Sequence, residues 1–266
     1  MQRQENQKIL YSPSDLVTFL ECHHATFLDT KSLDKEEEIL EISATNQLLQ
    51  RKGFEHETAY LQQLKDQGKT ITEIPNDANV SNASRIKLTI EAMKSGADVI
   101  YQAVLFDNPW QGYADFLIKC DTPSNLGNYS YEVLDTKLAQ RAEPKHIIQL
   151  CVYCELLAKQ QDFRPEKMHL FLGDKKKYSF RVVDFFYYYT RVKSRFETYT
   201  KSLPEKSYPT PCTYCNFCDW YKKKCKNRLE TDDHLSLVAN IQRSQIDKLC
   251  KAGIKTVADL AKADTT

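Results

Sequence analysis

The sequence predicts an α/β protein in which a mixed sheet carries helices on its faces. Three observations lead there. Residues 99–106, 110–119 and 129–138 are rich in β-branched and aromatic side chains, and the turn clusters Asp107-Asn108-Pro109 and Pro123-Ser124-Asn125-Leu126-Gly127 separate them, so they read as a three-strand meander. Helical spacing precedes and follows the meander, and such an order packs helices against a sheet. The 266 residues include 41% hydrophobic residues, 7 Gly and 9 Pro, which excludes disorder and collagen-like structure.

The elements follow in order. Ser12-Pro13-Ser14 opens a short helix over residues 15–28, because serine caps a helix and proline suits its first turn; Cys22 rides within it. A charged stretch at 31–38 links this to a longer helix over 44–65, with Leu48, Leu49, Phe54, Leu61 and Leu64 apolar and Gly53 and His56 one turn apart. A strand at 70–74 and a helix at 84–93 lead into the meander. A helix over 144–160 comes next, then strands at 168–172 and 178–182 around Gly173-Asp174. Residues 184–199 return to helical spacing, with Phe185, Tyr189, Val192, Phe196 and Tyr199 on one stripe, a core face. A cysteine run follows, and residues 235–263 form two short helices broken at Ala252-Gly253-Ile254.

Charge and hydropathy exclude several classes of function. No apolar run approaches the roughly 18 residues a membrane helix needs, so no membrane partner is expected. The N-terminus, Met1-Gln2-Arg3-Gln4-Glu5-Asn6, lacks the apolar region of a secretion signal, which predicts the reducing cytoplasm. With 37 Lys+Arg against 36 Asp+Glu the net charge is +1, which argues against a wholly basic coat and leaves room for a local basic groove.

Nine cysteines in a reducing compartment call for a reason other than disulfides. Cys212, Cys215, Cys218 and Cys225 fall in one polar, lysine-rich run, whereas Cys22, Cys120, Cys151, Cys154 and Cys250 are scattered. Two overlapping CxxC steps in fourteen residues read as metal ligation.

Chemistry concentrates on the meander. Asp135 and Lys137 lie two apart on its third strand and so project from one face. The carboxylate offers hard oxygen to a divalent cation, and the amine can orient a water or stabilise phosphate charge. Asp115 is one acid in an otherwise apolar strand, which is costly to bury unless paired or metal-bound; the bland reading is a solvated carboxylate near a turn. Gln149 and Tyr153 share a helix face at i, i+4 and could donate to phosphate, or be a plain helix surface with a half-buried tyrosine. His56 alone reads as structural as readily as ligating.

In order, GxxH on a helix, a strand acid, DxK on the next strand and QxxxY on the following helix resemble the RecB-like branch of the PD-(D/E)xK nucleases. Within it, Ser12-Pro13-Ser14-Asp15-Leu16, Gly112-Tyr113-Ala114-Asp115-Phe116-Leu117, residues 131–137 and Asp232-Asp233-His234-Leu235-Ser236-Leu237-Val238 resemble uncharacterised RecB-like nucleases, and the resemblance spans nearly the whole chain. It implies a restriction-endonuclease-like mixed sheet flanked by helices. It makes His56, Asp115 and Asp135, with the Thr136 carbonyl, ligands of Mg²⁺ or Mn²⁺. Lys137 becomes the catalytic amine beside Asp115 and Asp135, and Gln149 and Tyr153 grip the DNA backbone. The implied activity is a deoxyribonuclease, an exonuclease on single-stranded ends in DNA repair or recombination. The other class in play is a non-catalytic DNA-binding module that positions a partner enzyme.

The same branch, with AddB and the CRISPR spacer-acquisition nucleases, clasps its fold with a four-cysteine iron–sulfur cluster. That resemblance maps an iron–sulfur cluster of the [4Fe-4S] type onto Cys22, Cys215, Cys218 and Cys225 and leaves Cys212 over. A self-contained zinc module of Cys212, Cys215, Cys218 and Cys225 is the rival. The basic run Lys222-Lys223-Lys224-Cys225-Lys226-Asn227-Arg228 beside Trp220 and Tyr221 suits single strands or is a solvated face. No GxxxxGK[ST] occurs, so unwinding would need a helicase partner. The expected division is a nuclease domain over 1–230 and a helix-hairpin-helix segment over 231–266, with residues 241–260 as the hairpin. In the family such chains commonly continue into a second nuclease domain.

Overall fold

A computed structural model of the chain describes residues 1–3, 9–33, 44–77 and 79–263. From residue 34 onward the expected charged linker lies outside the described residues, as do residues 264–266. In chain order the elements are β1 (Gln2–Arg3), β2 (Ile9–Leu10), α1 (Pro13–Glu21), α2 (His23–Ser32), α3 (Ala44–Asp66), β3 (Ile71–Glu73), α4 (Asn82–Ser95), β4 (Val99–Asp107) and β5 (Trp110–Cys120). They continue with β6 (Ser130–Thr136), α5 (Pro144–Gln161), β7 (Lys167–Phe171), β8 (Lys177–Arg181), α6 (Val183–Lys201), α7 (Lys226–Thr231), α8 (Arg243–Lys251) and α9 (Val257–Lys262).

The protein is α/β. Its main sheet has six strands in the order β3-β4-β5-β6-β7-β8, with β3–β4 and β6–β7 parallel and the other neighbours antiparallel. Parallel neighbours need a crossover, and α4 and α5 supply the two. Helices cover both faces. On one, Leu16 and Phe19 of α1, the apolar residues of α5, and Tyr189, Val192 and Phe196 of α6 share a core with Leu105, Leu117, Val133 and Leu170. On the other, Tyr60, Leu61 and Leu64 of α3 pack on Val99, Tyr101, Phe116, Leu134 and Phe171.

The strand faces change partway along β4. Val99 and Tyr101 join the core under α3, whereas Ala103 and Leu105 join the other, which strict alternation from Tyr101 forbids. The shift falls at Gln102, whose φ of 57° is left-handed, between the pairs Tyr101↔Phe116 and Ala103↔Ala114. Asp115 occupies the facing position on β5. The ladder is thus broken where a strand acid stands.

The N-terminal helix departs from expectation. Instead of one helix over 15–28 there are two, and Cys22 is the extended residue between them, with φ −157° and ψ 106°. Its Sγ accepts from Ala25 N at 3.4 Å, so the thiol acts as the N-cap of α2 rather than riding inside a helix.

Candidate active site

Two adjacent strands bring the acids together. Asp115 on β5 accepts from both Thr136 N (2.7 Å) and Thr136 Oγ1 (2.8 Å) at the end of β6, one residue beyond Asp135. The solvated-carboxylate reading of Asp115 therefore does not describe it. Asp135 is 1% exposed. Lys137 follows β6, fixed by its backbone N–H donating to Phe171 O at 2.9 Å, and its Nζ lies 2.5 Å from Asp135 Oδ2. That contact is a tight, buried ion pair, and Asp135 Oδ2 has no partner besides Lys137.

A third carboxylate comes from α3 and was not singled out in the sequence. Glu57 accepts from Gln102 Nε2 and Tyr101, and its charge acts on Asp135 and Lys137. His56, one residue earlier, makes its contacts with Phe171: its Nε2 lies 3.3 Å from Phe171 O, and its ring stacks on Phe171 with centres 5.1 Å apart. The Phe171 carbonyl that holds the Lys137 backbone is thus also held by His56. Successive helix residues point about 100° apart, so a glutamate directly after the histidine of GxxH was the available signal.

Helix α5 closes the other side. Gln149 Nε2 donates to the Tyr153 hydroxyl at 3.0 Å, so both stand on one face, and Tyr153 is close enough to feel the charges of Asp135 and Asp115. Gly112 permits this packing, since a Cβ there would meet the Tyr153 ring at 2.6 Å. Tyr153 is buried and Gln149 half-buried, so Gln149 is the one open to a ligand. His146, also missed in the sequence, is buried at the start of α5; burial first, then Lys137, holds its pKa below the ordinary value.

The electrostatics are those of crowded acids. Burial, then Asp135 and Glu57, pushes the Asp115 carboxyl well above its ordinary value, and burial does the same to Glu57. For Lys137 burial works against the charge, but Asp135, Asp115 and Glu57 outweigh it and the pKa rises. Lys137 is therefore an ammonium at neutral pH, a charge stabiliser and proton donor rather than a base. Three carboxylates act on one ammonium, an excess of negative charge that a divalent cation would neutralise. Among the described residues no group of three or more His, Cys, Asp or Glu side chains is closed tightly enough to hold a metal ion as it stands. Asp115, Asp135 and Glu57 offer the oxygen donors that hard divalent cations take.

A stability prediction follows from these signs. The native state holds protons on Asp115 and Glu57 more tightly than the unfolded chain, so their contribution is most favourable at acid pH and is lost as pH rises through the raised values. Thermal unfolding of metal-free protein, followed from acid pH upward past the ordinary carboxylate range, should show this fall. Asp115→Asn should flatten it, because an amide can accept the same two Thr136 bonds without titrating.

The cysteines gather at a second place. Cys22, Cys215, Cys218 and Cys225 line one pocket, with Cys225 carried on a π turn, Tyr221–Cys225. Cys212 sits beside it, its Sγ 3.9 Å from Cys215 Sγ. All nine cysteines are free thiols. Burial foremost pushes Cys215 up to about 11 and Cys225 up to about 12, and neighbouring thiols add to both. A broad cavity lined by Phe27, Tyr208, Lys206, Lys224 and Arg228 adjoins these cysteines rather than the carboxylates. Nearby, Lys224 lies over the Trp220 ring at 4.8 Å. The C-terminal segment is tied to this region through Tyr208, which bonds Asp232 at 2.9 Å, and Val257 N bonds Asp233 O at 2.9 Å. Among the described residues no helix is long and apolar enough to cross a membrane.

No protein-family model matches the chain, and no curated protein matches it. Among solved structures, the crystal structure of SSO0001 is similar at 16% identity, over 86% of this chain and 90% of that one, with a TM-score of 0.36.

Proposed function

We propose that this protein is a metal-dependent deoxyribonuclease of the RecB-like PD-(D/E)xK kind, with a restriction-endonuclease-like sheet. The observation that carries the reading is the meeting of Asp115, Asp135 and Lys137 at the ends of two adjacent strands, with Asp135 buried against the Lys137 ammonium. Asp115 and Asp135 hold the cation, with the Thr136 carbonyl beside them and Glu57 in the helix position that the resemblance gives to His56. Bound Mg²⁺ or Mn²⁺ would neutralise phosphate charge and lower the pKa of a water. Lys137, charged, orients the attacking water's oxygen and offsets charge gathering on the phosphate in the transition state. Gln149 donates to a backbone phosphate, and Tyr153 orients Gln149 through the bond between them.

The substrate we favour is a single-stranded DNA end, in repair or recombination in the cytoplasm, with a helicase partner for duplexes. Incubating labelled single- and double-stranded oligonucleotides with Mg²⁺, Mn²⁺ or EDTA tests this. Cleavage that needs a divalent ion supports it, and metal-dependent binding without cleavage supports the non-catalytic module instead.

The α3 assignment has its own test. By titration calorimetry Glu57→Gln should weaken Mn²⁺ binding by about tenfold or more, while His56→Ala should leave it within about twofold. The reverse order would return His56 to the ligand set.

For the cysteines we propose an iron–sulfur cluster, of [4Fe-4S] composition by its four-thiolate set, on Cys22, Cys215, Cys218 and Cys225. Such a cluster would clasp the α1–α2 junction to the C-terminal run, with α8, Gly253 and α9 as a helix-hairpin-helix beyond it. Anaerobic protein should be brown, and Cys22→Ser should bleach it and lower Tm. A colourless zinc protein indifferent to Cys22→Ser would establish the local zinc module of Cys212, Cys215, Cys218 and Cys225.

A further inference from the structure

One buried cation lies outside the group of residues used above. Arg85, in the first turns of α4, is 7% exposed, and its Nε and Nη2 are buried with no hydrogen-bond partner. Its guanidinium lies over the Tyr113 ring, 5.0 Å from the ring centre. Stacking uses the flat face of a guanidinium and leaves its in-plane N–H groups unpaired; the Nε and Nη2 edge is closed to solvent as it stands, and once opened it matches phosphate oxygens two at a time. A buried guanidinium without an acceptor is unfavourable, so the position is poised for an anion.

The surroundings say which anion. Tyr113 is 39% exposed and lies on β5, two residues before Asp115. Its hydroxyl is clamped between Gln111 Nε2, which donates at 2.5 Å, and Asn82 Oδ1, which accepts at 3.0 Å. α4 itself is pinned to the sheet by Val104 N donating to Thr89 Oγ1 at 3.0 Å, and Val104 is the residue paired with Tyr113. A fixed, half-open aromatic plate backed by an unpaired cation, on the strand that carries Asp115, has the two parts of a nucleotide subsite.

We propose that Arg85 and Tyr113 form a nucleotide subsite beside the carboxylate centre. Tyr113 stacks one base of the bound single strand, and Arg85 takes the phosphodiester next to it. This rests on the nuclease reading and deepens it by naming where the strand lies along β5.

Fluorescence anisotropy with a labelled single-stranded oligonucleotide, with Ca²⁺ replacing Mg²⁺, tests it over a salt series. Arg85→Ala should weaken binding about tenfold and reduce the slope of log affinity against log salt by about one phosphate contact. Arg85→Lys should keep the slope with lower affinity, which separates charge from fork geometry. Tyr113→Ala should weaken binding about tenfold with the slope unchanged. Inorganic phosphate should raise the Tm of the wild type and not of Arg85→Ala. If the wild type binds the strand and folded Arg85→Ala and Arg85→Lys bind with the same affinity and slope, the subsite is wrong and the nuclease reading stands. If the wild type binds no oligonucleotide, the nuclease reading fails; phosphate stabilisation that needs Arg85 would then leave an anion site without a nucleic-acid role, and its absence would overturn both.

Discussion

Asp135→Asn should abolish both cation binding and cleavage, the largest loss of any single substitution in the site. Asp135 is 1% exposed, its Oδ2 pairs with the Lys137 ammonium, and its charge acts on Asp115, Glu57 and Lys137. An amide fills the same space but cannot offer that charge to a cation. Cleavage should fall by roughly a thousandfold or more, the scale seen when electrostatic stabilisation of a transition state is removed. Calorimetry with Mn²⁺ should show no binding at the site. The apo variant should fold, since Asn keeps the size of the side chain, and one of three crowded carboxylates is gone.

Lys137→Ala should separate the two effects. The ammonium is held by Asp135 and raised in pKa by all three acids, so it serves charge that develops during the reaction rather than cation or strand binding. Single-turnover cleavage should drop by about a hundredfold to ten-thousandfold. Mn²⁺ affinity should be kept or rise, because a competing positive charge leaves the cluster, and oligonucleotide affinity should change by less than about tenfold. Wild-type cleavage by Lys137→Ala would remove the amine from the mechanism whatever the fold does.

Much of the architecture was legible because period and punctuation agreed. The meander, the α5 crossover and the hairpin around Gly173-Asp174 combine β-branched runs or helical spacing with turn residues at their ends, and β4, β5, β6, α5, β7 and β8 occupy those places. Cys22 was harder, because a thiol capping a helix gives no signal like that of serine or aspartate. The shift of faces at Gln102 had no signal at all, since a left-handed φ is expected of glycine or asparagine and not of glutamine.

Within the site, strand residues were easier to place than helix residues. Asp135 and Lys137 share a face by a period of two, and Asp115 stood out as a charge among apolar neighbours. On α3, the spacing that singled out His56, which packs on Phe171 of β7, gave no sign that neighbouring Glu57 also reaches the acids. Arg85 and His146 are ordinary helix residues in the sequence. Only their burial, and the missing acceptors of Arg85, set them apart.

On this reading the acids of β5, β6 and α3 form one cation site. Anomalous scattering from a crystal soaked in Mn²⁺ tests it most directly. A single strong peak is expected within bonding distance of Asp115 and Asp135, with Glu57 turned toward it and His56 still on the Phe171 carbonyl. Manganese bound away from both aspartates, or no peak there at a concentration that supports cleavage, would contradict it.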